Sequence, residues 1–242
     1  MSRARRPLVA VAATALALLL SGGLTGCSVV EGLTGGGDEP VPAESPAATE
    51  EIYDSQFTRD GTFQSHVDVN GVDFVYNMYP TKATPRTNEW YPRGSKFFSF
   101  TFGAYDLDRR LRDPFATKRM VYLDTIEVSS RTILKDGSRG SQKPYRLSAE
   151  ARRITFDPEP VATERGMLIT SPKGAFELRN QKIGTVSMDT RGIELTFRAT
   201  VWIENSAGSD SYYRRVITQK VPIAIFPSEE KTQVAKIPVN AG

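Results

Sequence analysis

The sequence predicts an all-β fold, an antiparallel β-sandwich of immunoglobulin-like kind, behind a leader and a flexible tether. Three observations predict it. From Ile52 onward, apolar and polar residues alternate with period two, the signature of strands with one buried face. Gly, Pro and Asn punctuate that alternation at short intervals, as turns between antiparallel strands require. A helical period is missing, apart from a turn or two at residues 107–112 that Pro114 would stop. The 242 residues are enough to bury a real core. Residues 52–242 are expected to form one domain, because no second Pro/Gly-rich linker interrupts them.

The amino terminus carries the sharpest local pattern. Arg3, Arg5 and Arg6 form a positive start, residues 8–20 are apolar except for Thr14, and small residues lead to Cys27. A helix of about 13 apolar residues is roughly 20 Å long, short of a hydrocarbon core of about 30 Å. The run therefore reads as a cleaved secretory leader over residues 1–26 and not as a permanent span. Within it, Leu24-Thr25-Gly26-Cys27 resembles the lipobox of bacterial lipoproteins. That resemblance covers only the leader. It implies cleavage before Cys27, attachment of a diacylglyceryl group to that residue, and localisation as a lipid-anchored protein on the extracytoplasmic side of the cell membrane. More than one acyl chain on a single residue gives stable anchoring where one chain would not.

Removing the leader changes the charge argument. Of 31 basic residues, three precede Cys27 and no acidic residue does, which leaves 28 basic against 28 acidic side chains. The formal charge of +3 belongs to the leader, so a nucleic-acid partner is not expected. Residues 27–51 are rich in Gly, Pro, Ala, Thr and Glu and too poor in periodic apolar residues to fold, which predicts a tether. A coil of some two dozen residues has a root-mean-square reach of roughly 25–30 Å.

Within the body, residues 63–78 predict a hairpin. Asn70-Gly71 supplies the two positive-φ positions of a type I′ turn. A two-residue loop then pairs Phe63 with Met78, Ser65 with Tyr76, Val67 with Phe74 and Val69 with Val72 on one face. Residues 96–105 put Phe98, Phe100 and Phe102 on one face, and residues 120–132 change phase near Asp124, which predicts a bulge. Residues 151–156 and 167–170 are short strand candidates. Residues 193–204 alternate most cleanly, with Ile193, Leu195, Phe197, Ala199, Val201 and Ile203 inward. Residues 212–226 are the expected partner.

Chemistry-bearing patterns are sparse. Asp68 and Asp73 fall near each other across the hairpin and are weak candidates for a calcium site. Asp106, Asp108, Asp113 and Asp124 also suggest calcium. Arg109, Arg110, Arg112, Lys118 and Arg119 interleave with them, so a surface salt-bridge network is the expectation. His66 is the single histidine and Cys27 the single cysteine, and no nucleophile elbow, phosphate loop or dinucleotide fingerprint is present. The sequence therefore predicts neither an enzyme nor a bound cofactor. Trp90 and Tyr91, in the long loop of residues 80–94, and Trp202, on the polar face of the best strand, are the candidate binding residues. The expected role is an adaptor or accessory subunit of an envelope complex. A lipid-, glycan- or solute-binding module beside a transporter is the alternative.

Overall fold

The computed structural model describes residues 52–236; the leader, Cys27 and the tether fall outside the described residues. The chain opens with a five-residue helix, α1 (Gln56–Asp60). Ser55 caps it by accepting from the Thr58 amide at 3.0 Å, and Gly61 ends it in the left-handed region. Strands β1 (Phe63–Val69), β2 (Val72–Pro80), β3 (Lys96–Asp106), β4 (Val121–Leu134) and β5 (Arg146–Glu150) follow. A four-residue helix, α2 (Ala151–Ile154), precedes β6 (Ala162–Thr163), β7 (Gly166–Leu168), β8 (Phe176–Ile183), β9 (Thr190–Glu204) and β10 (Tyr212–Ala224).

Among the described residues the strands form two open sheets, ordered β1-β2-β3-β8 and β10-β9-β4-β7-β6, with β5 also paired to β4. This corrects the expectation of a purely all-β, immunoglobulin-like β-sandwich: the fold is mixed α/β, with short helices and two sheets that do not close. The helices arise where local signals outweigh the period-two reading. At residues 151–156 the sequence pattern predicts a strand, but Ala151 and Ile154 turn inward three residues apart and the Thr155 amide donates to the Ala151 carbonyl, closing a helical turn. The helical turn expected at residues 107–112 is instead a pair of reverse turns, with Arg109 N–H bonded to Asp106 O and Asp113 N–H to Arg110 O.

Other elements follow the sequence closely. The β1–β2 hairpin has the expected register, Phe63 opposite Met78 through Val69 opposite Val72, and Asn70 and Gly71 take φ of 53° and 77°. The ladder between β4 and β9 shifts register between Leu123 and Thr125, at the phase change near Asp124. Both sheets turn an apolar face to one core. Phe197 of β9 lies 5.0 Å from Phe100 and 5.8 Å from Tyr76, ring centre to ring centre, so aromatic packing joins the two layers. No helix among the described residues is long and apolar enough to cross a membrane.

The register shift in β4 is served by a close approach of β7. Gly166 has φ of +115°, and a Cβ there would lie 2.2 Å from the Leu123 carbonyl oxygen. Gly166→Ala is therefore expected to lower stability by more than about 1 kcal/mol, read as a lower urea midpoint at unchanged slope. An unchanged midpoint would show that β7 can move away from β4 at little cost.

Candidate functional site

The three aromatic candidates do not come together. Trp90 is fully buried. Its ring centre lies 5.2 Å from that of Phe57 in α1, and its indole Nε1 donates to the Thr84 carbonyl at 3.1 Å. The Phe226 amide donates to the Trp90 carbonyl, so the tryptophan closes one end of the core. Tyr91 is half-buried beside it, its amide held by Thr232 Oγ1 at 2.8 Å. The loop around them is pinned by Lys96, a fully buried lysine whose Nζ donates to the carbonyls of Pro92 and Gly94, each at 3.1 Å. Burial lowers the Lys96 pKa to about 8.

Trp202 sits at the other end of the sheet. Gly192 marks the near end, where a Cβ would strike the Tyr53 ring, and Trp202 follows ten residues later, about 33 Å along β9. There the outer face of the larger sheet carries a row formed by Arg214, Trp202, Tyr122 and Leu168 on four neighbouring strands. Tyr212 lies 5.9 Å from Tyr122, and the Arg165 guanidinium stacks 4.5 Å above the Tyr212 ring while bonding Glu164 at 3.1 Å. Glu164, Arg165, Trp202 and Tyr212 line a concavity of about 380 Å³. Burial, helped by Glu204, pushes the Tyr212 phenol up to about 12. Glu204 fixes this end by accepting from the amides of Met120 at 2.9 Å and Asp210 at 3.2 Å. The connection after β3 ends here too, and it exposes Leu107 and Leu111 at 55% and 59%.

The acidic candidates are largely absorbed by partners within the fold. Asp68 and Asp73 stand directly opposite each other, but Asp73 Oδ2 bonds His66 Nδ1 at 2.7 Å and Asp68 Oδ1 accepts the Gly71 amide at 3.0 Å. Asp106 is buried against Arg119, Asp108 also bonds Arg119, at 3.1 Å, and Asp113 accepts the Arg110 amide. The expected surface network is thus centred on a buried pair. Among the described residues no group of three or more His, Cys, Asp or Glu side chains has metal-binding spacing.

A second concavity, of about 400 Å³, occupies the same outer face further down the sheet, between β5 and β9 with β4 running through it. Arg131, Lys143, Arg146 and Arg198 line it together with Glu127 and Glu194. Alternation along residues 193–204 already puts Glu194, Thr196 and Arg198 on the outward face with Trp202. Arg131, Lys143, Arg146 and Glu127, like Tyr122, Arg165 and Tyr212, carry no such signal, because cross-strand register brings them together.

The site is therefore the outer face of an open six-stranded sheet, aromatic at one end and cationic toward the middle. In comparison with known proteins, the chain matches no protein-family model and no curated protein.

Proposed function

We propose that this chain is a lipid-anchored, extracytoplasmic accessory protein of the cell envelope, held to the membrane through Cys27 and docking a protein partner through the aromatic end of its larger sheet. The anchor rests on the residues leading to Cys27. The adaptor role rests on one observation: Trp202, Tyr212 and Arg165 line one concavity, and Trp and Arg are residue types that dominate binding energy at protein interfaces. Exposed Leu107 and Leu111 add apolar area at the same end.

The test uses the full chain in its own cells. Cys27→Ala is expected to lose the protein from the membrane fraction, and its retention there would overturn the anchor. Cross-linking in mild detergent is expected to recover a stoichiometric partner that Trp202→Ala/Arg165→Ala reduces at least about tenfold with the fold unchanged. Equal recovery with that variant would overturn the patch as the docking surface.

A further inference from the structure

We propose that the cationic groove on the outer face of the larger sheet binds an acidic oligosaccharide, a hydroxyl-rich chain bearing repeated carboxylate or phosphate groups. The inference goes beyond the adaptor role and does not depend on the anchor. Four cations line the groove against two carboxylates, and Glu194 is already engaged by Lys220 at 3.5 Å. None of Arg131, Lys143, Arg146 and Arg198 has an ion pair or side-chain hydrogen bond with another described residue, in a chain whose exposed arginines frequently do. Even Glu127, directly opposite Arg198 in the ladder, does not close a salt bridge to it. Guanidinium groups left without a carboxylate partner are open to an incoming anion, and their fork matches carboxylate and phosphate oxygens.

The remaining lining selects the class of anion. Ser129 and Ser148 offer hydroxyls, and Glu127 can only accept hydrogen bonds. A bare polyanion would be repelled by that carboxylate, whereas sugar hydroxyls would donate to it. Ladder geometry also spreads the cations. Arg146 stands opposite Ser129, one strand and two residues from Arg131, about 8 Å by strand spacing. Arg198 stands opposite Glu127, two strands and two residues from Arg146, about 12 Å. A single small anion cannot touch all of them, but a chain with repeated charges can.

The test is calorimetric titration of the purified full chain with a galacturonic acid hexamer and a phosphorylated mannose oligomer, against a neutral glucose hexamer and inorganic phosphate. At least one acidic oligomer is expected to bind in the micromolar range, to weaken as salt rises, and to bind at least tenfold more weakly to Arg146→Gln/Arg198→Gln. Which oligomer binds distinguishes carboxylate from phosphate. The proposal is overturned if neither acidic oligomer binds, if the neutral hexamer or inorganic phosphate binds as tightly, or if the double variant binds like the parent with its melting temperature unaltered.

Discussion

Trp90→Ala is expected to destabilise the protein by about 3–5 kcal/mol, the usual range for removing a buried large aromatic from a core. The physical terms are separable. The ring is fully buried against Phe57, so its loss leaves a cavity beneath α1. Its Nε1–H donates to the Thr84 carbonyl, and removing it strands an acceptor inside the loop. For a domain of this size the melting temperature should fall on the order of 10 °C. Trp202→Ala, on a half-buried outer face, should cost about 1 kcal/mol or less. Because the chain has two tryptophans, unfolding is best followed by far-ultraviolet circular dichroism, whose signal neither substitution removes. Equal losses for the two variants would contradict the division of one tryptophan to the core and the other to the surface.

That division shows where sequence reading ends. Trp202 could be placed because alternation along β9 is unbroken and fixes which face each residue takes. Trp90 lies in a loop without a period, and its direction is decided by Phe57, 33 positions earlier in sequence, by the Thr84 carbonyl and by the segment at Phe226. The β1–β2 hairpin was legible for the same reason as β9: Asn70-Gly71 sets the loop length and the loop length sets every pair. Strand β8 was not legible, since in the run from Phe176 to Ile183 only the two ends are buried and Asn180 takes a positive φ. It becomes a strand because the edge of β3 offers unpaired amides and carbonyls, a tertiary cause with no local signature. The same holds for the groove: Arg131, Arg146 and Arg198 lie far apart in sequence and become neighbours through the register of β4 with β5 and β9.

Arg119→Met should be as costly as Trp90→Ala, and its pH dependence identifies the cause. The Arg119 guanidinium donates to Asp106 Oδ1 from Nε at 3.1 Å and to the carbonyls of Asn70 and Gly71 at 2.8 Å each. Its backbone amide donates to Asp106 Oδ2 at 2.8 Å. One side chain thus ties the β1–β2 turn to the end of β3 just before β4 begins, linking the two sheets. With side-chain exposures of 9% and 3%, the pair is buried, and removing one partner from such a pair costs about 3–5 kcal/mol because the other charge is left uncompensated. Burial alone would raise the Asp106 pKa, but the hydrogen bonds and charge of Arg119 outweigh it and hold the carboxyl below the usual carboxylate range. A folded-state pKa below the unfolded value means this contribution is complete at neutral pH. It is lost as pH falls from about 4 through the folded value. In Arg119→Met the sign reverses: a buried carboxylate without its cation prefers to be protonated, so its pKa rises. The deficit of the variant against the parent should therefore be largest at pH 7 and narrow toward pH 4. Asp106→Asn/Arg119→Met should lose less than the sum of its single changes, since neither partner then leaves a charge behind. Urea midpoints of all four proteins at pH 7 and pH 4 read both effects. A deficit that is the same at the two pH values would mean that Arg119 acts through its carbonyl contacts at the hairpin turn and not through the Asp106 charge.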